Sequence, residues 1–229
     1  MTTTEESPVA LVTGGSRGLG YALVSELVRR GWHVVTDARD AQRLAAAASG
    51  WPDRVTALAG DVADAGHRTA LAAAVRARGR LDLLVNNASV LGPLVPLGVL
   101  PLSALRAVYE VNVVAPLSLV QLLEDLLAGG TVVNVSSDAA REPYETWGGY
   151  GSAKAALDQL SAILAEERKD RRVYAFDPGD MATDLQQQAF PGEDISDRRA
   201  PGLVVPSLLR LVDERPPSGR YTVDAQVTA

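Results

Sequence analysis

The sequence predicts an α/β fold, a doubly wound parallel sheet of seven strands in a single domain, on three observations. From Val9 onward, short β-branched runs alternate with longer amphipathic segments, the pattern of successive βαβ units. The runs are almost continuously apolar, as in Leu81-Asp82-Leu83-Leu84-Val85, which suits strands covered by helices on both faces. A glycine-rich turn, Gly14-Gly15-Ser16-Arg17-Gly18-Leu19-Gly20, lies between the first run and the first amphipathic segment, where glycine permits a tight strand-to-helix turn.

Taken in order, the first strand is expected near residues 9–13 and the first helix near 18–30, its apolar face carrying Leu19, Leu23, Leu27 and Val28. A strand near 33–36 precedes a helix near 41–49, and a strand near 55–58 precedes one near 65–77. The alanines at 45–48 and 72–74 suit both helices. Next come a strand near 81–86, a long helix near 102–127, a strand near 131–136 and a helix near 150–169. A strand near 173–177, a helix near 204–214 and a last strand near 221–223 complete the order. Apolar residues in each helical segment recur at helical rather than strand period. The segment 180–201 has no convincing period and is expected to be a substrate loop. Residues 1–8, polar and acidic, are expected to be flexible.

The 229 residues suffice for one sizeable core, and 47% apolar with 22% charged residues is an ordinary globular composition. The net charge of −6 argues against nucleic acid as a partner. With no cysteine, disulfides, thiolate chemistry and iron–sulfur clusters are excluded. The two histidines, His33 and His67, lie in no cluster at ligand spacing, so no metal is expected. The first residues lack a signal peptide's basic and apolar regions, and Pro93, Pro96 and Pro101 cut the apolar stretches. The expected location is cytoplasmic, with no membrane partner.

The glycine turn is a phosphate cradle: it brings a pyrophosphate close to backbone N–H groups at the positive end of a helix. Its spacing, with Gly14, Gly18 and Gly20 after Thr13, resembles the turn of the short-chain dehydrogenase/reductase family, classical type. Further stretches follow that family's order over nearly the whole chain. They are Asp61-Val62 after the third strand, Asn86-Asn87-Ala88-Ser89 ending the fourth, Asn112, Ser137, Tyr150 with Lys154, and Pro178-Gly179 with Thr183. The resemblance implies a Rossmann-like fold that binds a nicotinamide dinucleotide. Its contacts would come from Gly14, Ser16, Arg17, Gly18, Leu19, Gly20, Arg39, Asp61, Val62, Asn87, Ala88, Tyr150, Lys154, Pro178, Gly179 and Thr183. It also implies a four-residue catalytic set of Asn112, Ser137, Tyr150 and Lys154, in which the helix position of Asn112 holds a water for proton relay.

The choice of coenzyme turns on the end of the second strand, Thr36-Asp37-Ala38-Arg39. A carboxylate there binds ribose hydroxyls, whereas arginine favours a 2′-phosphate. By resemblance the discriminating acid would directly precede the arginine. That position is Ala38, so Arg39 and Arg17 favour NADP(H). NAD(H) stays open, because a shift of one residue would bring Asp37 to the ribose.

Tyr150 and Lys154 are four residues apart at a helix start, so both side chains lie on one face. A phenol with an ordinary pKa of about 10 is too weak a base at neutral pH, and a neighbouring ammonium favours its ionised form. The chain has only two lysines, Lys154 and Lys169, against twenty arginines. Ser137 follows a strand at its carboxyl end, where open α/β sheets bind ligands, and its hydroxyl would steady a substrate oxygen. The expected activity is hydride transfer between a nicotinamide and a carbonyl or secondary alcohol, with ketone reduction by NADPH favoured.

Two rival functions use the same cradle. One is a dinucleotide-binding sensor or scaffold, against which the intact catalytic set speaks. The other is a dehydratase or epimerase, whose relatives usually carry a larger C-terminal region. Side chains from segments 89–97, 138–147 and 184–190 are expected to line the substrate pocket, mixing Leu91, Leu94 and Trp147 with Arg141 and Gln186. Ser89 stands where the family usually has glycine. The arginines between 168 and 172 are read as cations offsetting a helix dipole rather than as a carrier-protein dock. A homodimer or homotetramer is expected from the resemblance of the two long helices to the family's dimer-forming pair.

Overall fold

The structure, a computed structural model, describes residues 7–223. Seven strands form one sheet, parallel throughout, in the order β3-β2-β1-β4-β5-β6-β7. They are β1 (Val9–Val12), β2 (His33–Ala38), β3 (Val55–Ala59), β4 (Leu83–Asn86), β5 (Thr131–Val135), β6 (Arg172–Asp177) and β7 (Gly219–Thr222). The chain winds outward from β1 to β3, returns to β4 beside β1, then winds the other way. That reversal opens a crevice above the carboxyl ends of the central strands.

Successive side chains of the central strands face opposite sides, so the sheet has two cores. Ala10 and Val12 of β1, Leu83 and Val85 of β4 and Tyr174 and Phe176 of β6 pack against α1 (Gly18–Arg29) and α8 (Val205–Glu214). Leu11, Val35, Leu84, Val132 and Val173 pack on the other face, against α3 (Ala65–Arg76) and α5 (Ala115–Leu122). Leu23 and Leu27 of α1 are fully buried, and truncating either to alanine would cost about 2–5 kcal/mol. Side-chain caps fix two helix starts: Asp40 accepts from the Arg43 N–H at α2 (Ala41–Ala48) and Asp64 from the His67 N–H at α3.

The long helix expected near 102–127 is interrupted. It runs as α4 (Leu102–Tyr109), a single π-turn (Glu110–Val114) and α5, then ends in a 3₁₀ turn, Glu124–Leu126. The widened turn contains Asn112, and such insertions collect at functional sites. By length and composition Leu102–Leu122 could cross a membrane, which the sequence reading did not anticipate, but Val111, Ala115, Leu119 and Val120 are in the second core. The helix expected to begin at Tyr150 begins two residues earlier, as α6 (Gly148–Glu167). The segment 180–201 carries a short helix, α7 (Asp184–Ala189), capped by Thr183. Of the expected flexible start, residues 1–6 lie outside the described residues. Pro8 accepts a 2.9 Å hydrogen bond from His33 N–H and Ser7 one of 2.8 Å from Arg54.

Candidate active site

One cleft of about 1130 Å³ crosses the strand ends, larger than the ~300–1,000 Å³ of a pocket for one drug-sized ligand. At one end it is floored by the glycine turn. Gly14, Ser16, Arg17, Gly18 and Leu19 line it there, with Arg39, Asp61 and Val62 from the ends of β2 and β3. Unlike α2 and α3, α1 has no side-chain cap, so its first-turn N–H groups are left for a ligand. The size of the cleft and the uncapped helix fit a dinucleotide diphosphate. Gly20 is not in the lining: a Cβ there would stand 2.3 Å from the Gly14 carbonyl oxygen, so its role is the close packing of α1 on the turn. The Asn87 amide also holds the turn, donating 2.8 Å to the Thr13 carbonyl, and Asn87 and Ala88 border the cleft.

Asp37 is 1% exposed, and both carboxylate oxygens are engaged. One accepts from the Gly14 N–H at 2.8 Å, the other pairs with His67 Nε2 at 3.0 Å. The carboxylate considered for a ribose thus anchors the glycine turn. Arg43 of α2, which the sequence did not single out, joins Arg17 and Arg39 in the lining. Arg17 and Arg43 (3.3 Å) both pair with Asp184 at the start of α7, bridging the cleft.

At the other end Tyr150 and Lys154 project from α6, 6% and 2% exposed. The Lys154 ammonium donates to the Val135 carbonyl at 2.7 Å and stands 5.5 Å from the Tyr150 ring centroid. Burial lowers its pKa to about 8, opposed by the charge of Asp158. Burial also pushes the Tyr150 phenol up to about 12, while the hydroxyls of Ser137 and Ser89 beside it pull the other way and Asp138 and Asp177 add to the rise. Desolvation is the largest influence on the phenol in this arrangement, with the Lys154 amine turned to a backbone carbonyl. Gly151, next to Tyr150, allows α6 to approach the Ser137 turn: a Cβ would lie 2.8 Å from the Ala139 carbonyl oxygen.

Ser137 borders the cleft. Its hydroxyl donates to Asp138 at 2.9 Å and accepts from the Ala139 N–H at 3.2 Å. Beneath it lies a network that sequence reading missed. Arg220 of β7 donates to Asp158 of α6 at 3.0 Å, to Asp177 at 2.8 Å and to the Ser137 carbonyl at 3.1 Å. Asp177 also accepts from the Gly179 N–H at 3.0 Å, fixing the turn that brings Pro178, Gly179 and Thr183 into the lining. Asn112 is 1% exposed and does not line the cleft. Its amide bonds both backbone groups of Val90, at 3.0 and 2.9 Å, and accepts from the Ser89 hydroxyl at 3.2 Å.

Trp147, Phe190, Leu185 and Gln186 line the substrate end. Leu91 and Leu94, expected there, pack with Tyr150, Trp147, Leu185 and Phe190 in one satellite cluster but are not themselves in the lining, and neither is Arg141. Arg168 and Arg171 pair with Glu124.

A family model for short chain dehydrogenase matches residues 8–194. An uncharacterised oxidoreductase of Saccharomyces cerevisiae is 36% identical over 78% of this chain and 72% of its own length. Sepiapterin reductase of Xenopus tropicalis is 33% identical over 97% of this chain and 88% of its own. A short chain dehydrogenase of Shigella flexneri, solved in complex with NADP, superposes with a TM-score of 0.89 at 26% identity, covering 97% of this chain and all of that one. By its glycine turn, its sheet and these matches, the chain belongs to the short-chain dehydrogenase family, whose members are oxidoreductases of nicotinamide dinucleotides.

Proposed function

We propose that the protein is an NADPH-dependent carbonyl reductase acting through Tyr150, with Ser137, Lys154 and Asn112 as supporting groups. The observation that carries the reading is the burial of Tyr150 and Lys154 one helical turn apart in the cleft that also holds the uncapped start of α1. The coenzyme, when bound, supplies the hydride that reduces a carbonyl carbon. Tyr150, whose phenol keeps its proton throughout the neutral range, donates it to the carbonyl oxygen, giving the secondary alcohol. The Ser137 hydroxyl holds that oxygen as negative charge develops. Lys154 supplies positive charge beside the phenolate left behind. Asn112 holds the Ser89-Val90 backbone at the edge of the site.

Preference for the 2′-phosphate is supported by Arg17, Arg39 and Arg43 at the adenosine end and by the engagement of Asp37 elsewhere. NADP in the Shigella neighbour points the same way. A homodimer or homotetramer is supported by Val114, Leu117 and Ile163, exposed apolar residues at the π-turn, on α5 and on α6.

The test is to titrate the protein with NADPH and NADH by nicotinamide fluorescence, then to follow NADPH oxidation with a ketone panel. NADPH should bind the more tightly, and Tyr150→Phe should lose turnover while keeping coenzyme binding. Binding of neither coenzyme at millimolar concentration, or full turnover by Tyr150→Phe, would overturn the proposal.

A further inference from the structure

We infer that the substrate end of the cleft takes an aryl carbonyl compound bearing no anionic group. The inference rests on the hydride-transfer reading above and narrows it. Two independent features of that end converge on this class: the ring systems that line it and the sign of its charges.

The chain has few aromatic residues, three tryptophans, six tyrosines and two phenylalanines, yet Tyr144, Trp147, Tyr150 and Phe190 all line this end of the cleft. Trp147 is their centre, with ring centroids 5.9 Å from Tyr144, 5.8 Å from Tyr150 and 6.1 Å from Phe190. The Tyr144 and Tyr150 contacts are edge-to-face, at interplanar angles of 61° and 75°, a geometry that aromatic quadrupoles favour. The Tyr144 hydroxyl donates to Asp138 at 2.8 Å, which holds its ring in the wall. Tyr150 belongs to the same wall. A planar ring docked against Trp147 and Phe190 therefore carries a carbonyl attached to it directly to the phenol that protonates it. A flexible aliphatic chain gains no matching ring contacts.

Charge is partitioned along the cleft. The lining cations Arg17, Arg39 and Arg43 come from the adenosine end, where Arg17 and Arg43 are already engaged by Asp184 of α7, whereas Asp138, Glu145 and Asp180 line the substrate end. Lys154, the cation nearest the reacting centre, is 2% exposed and bonded to a backbone carbonyl. Arg198 stands behind the Phe190 ring at 4.4 Å, outside the lining, and pairs with Glu193 at 3.6 Å and Asp180 at 3.8 Å. A carboxylate or phosphate on the substrate would face three carboxylates with no lining guanidinium to receive it. A neutral or cationic substituent meets no such repulsion.

The test uses the full chain with saturating NADPH and four ketones that differ in one feature each: propiophenone, cyclohexyl ethyl ketone, 4-propionylbenzoate and 4-(aminomethyl)propiophenone. In kcat/KM, propiophenone should exceed the cyclohexyl ketone by about tenfold and the carboxylate by about tenfold, and the amine should not fall below propiophenone. Glu145→Gln should narrow the carboxylate penalty about threefold. Trp147→Leu should erase the aryl preference, and Phe190→Leu reads the same ratio if the tryptophan variant does not fold. Equal or better turnover of the cyclohexyl ketone or the carboxylate overturns the inference while the reductase reading stands. If no ketone is turned over, tryptophan quenching of the NADPH complex by benzamide, benzoate and cyclohexanecarboxamide decides separately. Tighter binding of benzamide than of both others keeps the ligand class and counts against the hydride-transfer reading. Equal or reversed binding overturns the class.

Discussion

The guanidinium of Arg220 on β7 donates 2.8 Å to the Asp177 carboxylate that ends β6. Through it the last strand is tied to the Ser137 carbonyl, and through Asp158 to the helix bearing Tyr150 and Lys154. Arg220→Ala would leave two largely buried carboxylates without their partner, a loss of about 3–5 kcal/mol. Urea unfolding of the variant should show it, with a fall of about tenfold or more in kcat/KM from the loosened Ser137 turn. Arg220→Lys restores the charge but not the fork, so stability should return further than kcat/KM does. A variant as stable and as active as the parent would mean that the network positions nothing.

Lys154 makes stability depend on alkaline pH. Its pKa falls from 10.5 to about 8 on burial, so between those values the unfolded chain holds the proton that the folded one has lost. Stability then rises with pH from about 8 to 10.5, by on the order of 3 kcal/mol. Tyr150, raised from 10.0 to about 12, has the opposite sign: its contribution is complete below pH 10 and is lost as pH climbs towards 12. Chemical unfolding of the parent and Lys154→Met across pH 7–10 should show the rise only in the parent. Parallel curves would show that the lysine is not desolvated.

The bridge from Asp184 to Arg17 and Arg43 sets a carboxylate against two cations available to a 2′-phosphate. All three side chains are about half exposed, and such pairs contribute about 0–1 kcal/mol. Asp184→Asn should tighten NADPH binding by about twofold to fivefold with little change for NADH, read by fluorescence titration at low salt. Weaker NADPH binding in the variant would assign Asp184 to holding the coenzyme rather than competing with it.

Gly151→Ala would place a Cβ 2.8 Å from the Ala139 carbonyl oxygen and force α6 away from the Ser137 turn. The shift needed to relieve that contact, about half an ångström between Tyr150 and Ser137, should lower kcat by about tenfold. The coenzyme Kd, set mainly by the glycine turn, should change little. Loss of coenzyme binding with kcat preserved would contradict this geometry.

The glycine turn, the order of strands and helices, and the Tyr150 and Lys154 pair were all legible because each rests on local spacing. A turn needs glycine within a few residues, a helix repeats every 3.6 residues, and side chains four apart share a face. The break at the π-turn was not legible, because the apolar period runs through it, and the bonds of the Asn112 amide to Val90 and Ser89 join residues more than twenty positions apart. Asp37 was readable as a residue but not as a partner. Its position at the end of β2 fits a ribose equally well, and only the packing of α3, which brings His67 to it, turns its carboxylate to the glycine turn.

By itself, then, the sequence determined the doubly wound sheet, the cradle and the shared helix face of Tyr150 and Lys154, since backbone geometry converts short-range spacing directly into shared faces and turns. Tertiary structure alone decided which charges meet. Arg220 reaches Asp177, Asp158 and Ser137 across 43, 62 and 83 residues of chain. Those contacts depend on the parallel register of β6 with β7 and on how α6 packs against them. Register and packing are set by the burial of many apolar side chains together, and no local spacing encodes them.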